Sequence, residues 1–250
     1  MSAQDDEQIK KRLKELLERS RQRGIFFYTD FHSMYTAAMA YELADAREVQ
    51  TWGGYEDSER VMIRFGDPAE IGYDEPFPIQ IVRVSPKRQK YADKLTHRDF
   101  LGALMSLGME RDVLGDILIH ENEAFVFVTE KMADFIMESL TSVKHTAVNT
   151  AFVDELPPEA RPQIKREEIN IASLRLDGIV SKVFHLSRQE AKSLFSSEKI
   201  YINGRPEPGA GREPKENDVI SVQGHGKFIY YGFLHETKKG RLVAEIGKYI

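Results

Sequence analysis

SRQEAKSLFSSEKIYING (residues 187–204) gathers Arg188, Lys192 and Lys199 ahead of an Asn203-Gly204 turn, in a chain whose net charge is −5. Ser187 and Glu190 have the S-x-x-E spacing of a capping box, in which each side chain satisfies the other's backbone N–H, so a helix is expected to start there. On that helix Ala191, Leu194 and Phe195 share an inward face, while Arg188 and Lys192 line one side with Glu190 off it. Asn-Gly is a strong hairpin signal because both residues tolerate positive φ, so KIYING and DVISV read as strands. The stretch is either a solvated helix entering a hairpin or a small surface built to hold a polyanion.

The flanking residues favour the second reading. A helix from Leu174 to Phe184 puts Leu176, Ile179, Val180 and Val183 on one apolar stripe, with Arg175 and Lys182 on a shared flank and Asp177 turned away from it. In both helices the cations are thus segregated from the acids, where a merely soluble face would interleave the signs as i,i+4 pairs. Lys199 and Arg205 flank the first strand and its turn, and Lys227 follows Gly224-His225-Gly226, a tight turn or a place where backbone approaches a ligand. Cations on helix flanks and loop tips suit a sugar-phosphate backbone, which they position without reading bases.

Composition bounds the rest. With 250 residues, 41% hydrophobic and 30% charged, the chain can bury real cores in two or three small domains. It has no cysteine, which excludes disulfides and thiolate chemistry, and no run of about 18 apolar residues that a membrane span needs. The charged N-terminus lacks the apolar segment of a secretory signal, so a cytoplasmic location is expected, with no membrane partner. Residues 161–250 hold sixteen Lys and Arg against eleven Asp and Glu, +5, which leaves −10 in residues 1–160. Such polarity lets one end dock on an anion.

Periodicity predicts an α+β chain. Residues 5–23 form a helix stopped by Gly24; FFYTDF, an Ala- and Met-rich helix, and a VQTWGGY/ERVMIRF hairpin complete an N-terminal α/β domain over residues 1–75. Residues 76–157 run β-α-β-β-α-β, the ferredoxin-like order of an antiparallel sheet backed by two helices. Its third strand, ENEAFVFV, puts Phe125 and Phe127 on one face, for core packing or for RNA, but starts acidic where the RNA-binding signature starts basic. A Pro- and charge-rich linker over residues 158–172 leads to the last domain, residues 173–250. In the middle domain Lys87, Arg88, Lys90 and Lys94 precede His97 and Arg98, which open a helix after Thr96; helix capping and a second phosphate patch remain open for them.

RLD (175–177), LSRQEAK (186–192), KIYING (199–204) and NDVISVQGHGKF (217–228) resemble the S-four domain, or alpha-L motif, a small RNA-binding module. With TDF (29–31), GGYEDSER (53–60), KLTHRDFLGALMSLGMERD (94–112) and GDILI (115–119), the chain resembles the YlmH-type RNA-binding proteins of bacteria and plastids over nearly its full length. The resemblance implies a non-catalytic protein; a monomer without cofactors is expected. It also implies that the chain binds structured rRNA or tRNA on the large ribosomal subunit, with peptidyl-tRNA, in ribosome-associated quality control. Arg175, Lys182, Ser187, Arg188, Lys192, Lys199, Asn203, Arg205 and Lys227 are its expected RNA contacts.

The sequence gives little for an enzyme. Pseudouridine synthases carry this module with a catalytic Asp in an R-L-D context, yet here Arg175-Leu176-Asp177 opens the module's own helix and fewer than twenty residues follow Gly232. GGYEDSER lacks the G-x-G-x-x-G a nucleotide cofactor would want and reads better as a hairpin turn. The seven histidines never fall at H-x-x-x-H spacing, so no metal site is expected. An RNA-modifying enzyme and a protein adaptor using the acidic N-terminal half remain as alternatives.

Overall fold

A computed structural model describes residues 3–249, so the ends of the first and last expected domains lie outside the described residues. The chain mixes helices and strands, α+β as expected, in two compact units that meet in sequence at Arg161 and Pro162. No described helix is long and apolar enough to cross a membrane.

The first unit opens with helix α1 (Ala3–Arg23), whose Leu13 and Leu17 are buried at helical spacing. Gly24, at φ +63, ends it with its N–H donating to the Ser20 carbonyl at 2.9 Å. Strands β1 (Phe27–Tyr28) and β2 (His32–Ser33), helix α2 (Met34–Tyr41), strands β3 (Val49–Trp52) and β4 (Arg60–Phe65), and the single turn α3 (Pro68–Ile71) follow. The central β4 pairs antiparallel with β1, β2 and β3, so the expected hairpin is present.

A second sheet comprises β5 (Ile79–Pro86), β6 (Leu114–His120), β7 (Glu123–Thr129), β8 (Ser142–Val143) and β9 (Thr146–Val153), with helices α4 (His97–Ser106) and α5 (Glu130–Ser139). Its order is β6-β7-β5-β9-β8, antiparallel throughout. Strand alternation sends Val82, Val84, Val126 and Val128 to the face covered by Phe100, Leu104, Ala133 and Ile136 of the helices. Ile81, Phe125 and Phe127 point to the opposite face, which Phe31, Tyr55 and Met62 cover with Leu156 and Ala160. The segments expected as separate N-terminal and middle domains therefore share a core.

That shared core explains three of the motifs. Within TDF, the Thr29 N–H donates to the Ile63 carbonyl at 2.9 Å and Oγ1 accepts from the Ile63 N–H at 3.0 Å, while fully buried Phe31 donates its N–H to the Asp112 carbonyl at 2.7 Å. Within GGYEDSER, Gly54 sits at φ +100, where a Cβ would come 2.3 Å from the Phe127 ring. The neighbouring Tyr55 ring packs 5.1 Å from Phe127, and its hydroxyl donates to Asp116 of GDILI at 2.8 Å. TDF and GGYEDSER close one side of the sheet, the latter anchored to GDILI within β6.

The second unit is a six-stranded antiparallel sheet, order β10-β15-β14-β13-β11-β12, with two helices packed on it. Its elements are β10 (Ile164–Ile171), α6 (Leu176–Val183), α7 (Arg188–Ser196), β11 (Ile200–Ile202), β12 (Arg205–Pro206), β13 (Asp218–Val222), β14 (Gly226–Glu236) and β15 (Leu242–Tyr249). Most of the stretch read as a linker is β10, paired residue for residue with β15 from Ile164↔Tyr249 to Ile171↔Leu242. Only Ile169 and Ile171 of that strand are buried, so its charged residues hide the alternation. Of the inward face expected on α7, Ala191 and Phe195 are buried and Leu194 is partly exposed.

Candidate nucleic-acid interface

The two helices of the second unit meet at a tight corner. The Leu186 N–H donates to the Ser181 carbonyl at 2.9 Å, Ser181 Oγ donates to the Leu186 carbonyl at 2.7 Å, and His185 takes φ +54. The capping box forms as read: the Glu190 N–H donates to Ser187 Oγ at 3.2 Å and the Ser187 N–H to Glu190 Oε2 at 2.7 Å. Ser187 is therefore committed to starting α7. The corner brings Lys182, His185 and Arg188 to a shallow cleft of about 660 Å³, joined by Asn170 from β10 and by Arg241 from the turn before β15. Among the described residues no carboxylate lines it. Lys182, Arg188 and Arg241 are exposed, and their side chains make no hydrogen bond or ion pair among the described residues.

The other expected contacts lie elsewhere. Arg175 is not on the helix flank: it is the extended N-cap of α6, at φ −68 and ψ 135, so helical spacing does not separate it from Asp177. Its guanidinium pairs with Asp177 at 3.0 Å and lies against the backbone of Gly211. Asp177 is buried, which alone would raise its pKa, but the Arg175 hydrogen bond and charge, the Gly178 N–H and the Lys192 charge outweigh that and hold it low. The segregation of signs expected in α6 is thus corrected at Arg175. Asn203, at φ +49, donates to Asp218 at 2.8 Å and accepts from the Val219 N–H at 2.8 Å, tying its turn to β13. Lys227 Nζ sits 4.2 Å from the Tyr249 ring centroid. Lys192, Lys199 and Arg205 are exposed outside the cleft.

Arg241 was missing from the sequence reading. Its signal was limited to Lys238-Lys239-Gly240, a turn ahead of the apolar start of LVAEIGKY; that strand buries Val243 and Ala244 in succession and does not alternate. In the first unit Lys87, Arg88, Lys90, Lys94, His97 and Arg98 are all exposed on or beside the β5–α4 connection. Thr96 caps α4 with Asp99, whose Oδ2 accepts from the Thr96 N–H at 2.8 Å and from Thr96 Oγ1 at 2.7 Å. No group of His, Asp and Glu side chains among the described residues could hold a metal.

Residues 73–155, the second sheet and its helices, match the family model described as "Putative RNA-binding domain in YlmH". Ribosome-associated protein quality control protein P2 of Bacillus subtilis (strain 168) is 28% identical over 194 residues, 76% of this chain and 73% of that protein. The matches support the YlmH-type RNA-binding family. The YlmH-type resemblance read from the sequence is borne out. A solved structure, Cell division protein ylmH from Streptococcus pneumoniae, is similar with a TM-score of 0.48 and 21% identity, covering 61% of this chain and 93% of that one.

Proposed function

We propose that this chain is a non-catalytic RNA-binding protein of the ribosome, holding structured rRNA or tRNA in the cleft of its second unit. The convergence of Lys182, Arg188 and Arg241 in a depression that no carboxylate among the described residues lines carries the reading. Unpaired cations projecting together favour a phosphate backbone, where each contact releases counterions. The second unit is read as an S-four-like domain whose expected start at residue 173 is preceded by β10, and the second sheet as a ferredoxin-like one starting near residue 76. The YlmH-type match and the printed name of the Bacillus subtilis relative favour ribosome association. In full the proposal is a monomeric cytoplasmic protein that works without cofactor or metal, on the large subunit with peptidyl-tRNA, in ribosome-associated quality control.

Filter binding of the full chain to structured rRNA fragments across a salt series tests it. Lys182→Glu with Arg188→Glu should weaken binding and reduce the log-log salt slope by about 1.4 to 1.8, two contacts' worth, with no change in unfolding midpoint. An unchanged RNA affinity would overturn the assignment of the cleft. Sedimentation with ribosomes that survives nuclease would favour the adaptor reading instead, and new modified nucleosides after incubation with rRNA or tRNA would favour an enzyme.

A further inference from the structure

One aromatic side chain has no role in the core. Tyr91 is 75% exposed, whereas the other outlying large apolar side chains range from 37% to 47%. It sits in the connection between β5 and α4, which is pinned on both sides. The Lys87 N–H donates to the Ala147 carbonyl at 2.9 Å, and the Asp93 N–H donates to Thr146 Oγ1 at 2.9 Å. Asn122 clamps the exit: its Nδ2 donates to the Asp93 carbonyl at 2.9 Å and its Oδ1 accepts from the Leu95 N–H at 2.6 Å, with the Leu95 side chain buried. Between the pins, one tight turn over Gln89–Tyr91 closes with the Tyr91 N–H on the Arg88 carbonyl at 3.2 Å. The ring is therefore presented to solvent on a braced loop. Such exposure of a large ring carries no folding benefit.

The surroundings indicate what would cover it. Lys90 Nζ lies 5.7 Å from the ring centroid. Lys87, Arg88 and Lys94 are exposed and their side chains have no hydrogen bond or ion pair among the described residues. Residues 87–98 carry five Lys and Arg against one Asp, +4 within a part of the chain that is otherwise strongly acidic. The broad face of the adjoining sheet is closed to ligands, since Phe125 and Phe127 are buried beneath Phe31 and Tyr55. An aromatic platform flanked by cations matches a nucleic-acid strand whose base is free to stack while its neighbouring phosphates are held.

We infer that the β5–α4 loop is a second RNA contact, in which the Tyr91 ring stacks on an unpaired base and Lys87, Arg88, Lys90 and Lys94 hold the phosphates around it. This rests on the RNA-binding reading and adds the class of RNA: a bulge, loop or single strand at this site, because bases within a continuous helix are stacked on each other and out of the ring's reach.

The test compares two RNA hairpins, each closed by a non-nucleotide linker so that no loop base is unpaired, identical except for one extruded nucleotide, titrated against the full-length chain by fluorescence anisotropy. The wild-type chain should prefer the bulged hairpin. Tyr91→Ala should lower affinity for it by roughly five- to hundredfold, the range for loss of one base–aromatic stack, and leave the fully paired hairpin and the salt slope unchanged. Tyr91→Phe should keep the preference. Because the ring is exposed, the unfolding midpoint of Tyr91→Ala should match wild type. Equal binding of the bulged hairpin by wild type and Tyr91→Ala overturns the inference. If wild type binds neither hairpin, the RNA-binding reading itself fails.

Discussion

The arginines of the first unit and the cations of the second unit's cleft are the same kinds of residue put to opposite uses. Arg64 is buried between the rings of Phe26 and Phe77, 4.5 and 5.3 Å from their centroids, and bonds Asp74, the Glu75 carbonyl and Gln50. Arg60 reaches the carbonyls of Leu114, Phe31 and Arg111, and burial lowers its pKa to about 10, which leaves it charged at neutral pH. Lys182, Arg188 and Arg241 have no such partners among the described residues and face a common depression. A cation count or a local net charge cannot tell these apart. What separates a structural cation from one open to a ligand is whether carbonyls and carboxylates of its own chain already occupy its donors.

Substitutions can break that comparison. The largest effect is expected at Phe127, fully buried where the first unit's two sheets share a core. Phe127→Ala should cost about 3–5 kcal/mol, read from urea unfolding. Were the Phe125/Phe127 face an RNA surface, the same change would lower RNA affinity and spare stability. Next comes Arg175→Ala, which leaves the Asp177 carboxylate, only 4% exposed, without its partner. The loss should be smaller than for a fully buried pair, because Arg175 itself is half exposed and Asp177 keeps the Gly178 N–H, but larger than at an open cation. Arg188→Ala should change stability by less than about 0.5 kcal/mol. Equal losses at positions 175 and 188 would erase the distinction between bonded and open cations. Ser187→Ala removes the α7 cap and should cost about 1 kcal/mol by thermal unfolding. RNA affinity should then fall only as far as the corner holding Arg188 loosens.

Much of this was readable from local pattern. The capping box, the α6 stripe, the Asn-Gly turn and the alternation in the second sheet each depend on neighbours in sequence, and each formed. The misses depend on partners distant in sequence or on backbone just outside a helix. Helical spacing separated Arg175 from Asp177, but one residue of extended backbone at the helix start brings them together. The charged residues of β10 read as a linker because its partner strand begins more than seventy residues later. Arg241 enters the cleft through that same pairing, since β15 runs beside β10 and carries the residue before its first position to the Asn170 end. TDF and GGYEDSER were visible as motifs, yet their role in closing the sheet required the fold.

The smallest effect concerns the cap beside the Tyr91 loop, and it separates capping from phosphate binding for the residues that open α4. Asp99 is pulled down from the usual carboxylate range to about 2, first by its hydrogen bond from Thr96 and then by Lys144, whose Nζ is 2.9 Å away. A carboxylate with a lower pKa in the folded than in the unfolded chain stabilises the fold at pH above its unfolded value near 4, and that contribution disappears as pH falls from about 4 to about 2. The urea midpoint of wild type should therefore exceed that of Asp99→Asn at pH 6, and the gap should narrow on acidification toward pH 2. A gap that stays constant with pH would remove the charge from the explanation and leave the hydrogen bonds alone. Because the cap bonds lie on the helix side of the loop and the loop has its own pins at Lys87, Asp93 and Leu95, Asp99→Asn should leave the bulged-hairpin preference intact. Arg98→Glu should behave in the opposite way, weakening RNA binding without a pH-dependent change in stability, if the residues opening α4 do more than begin a helix.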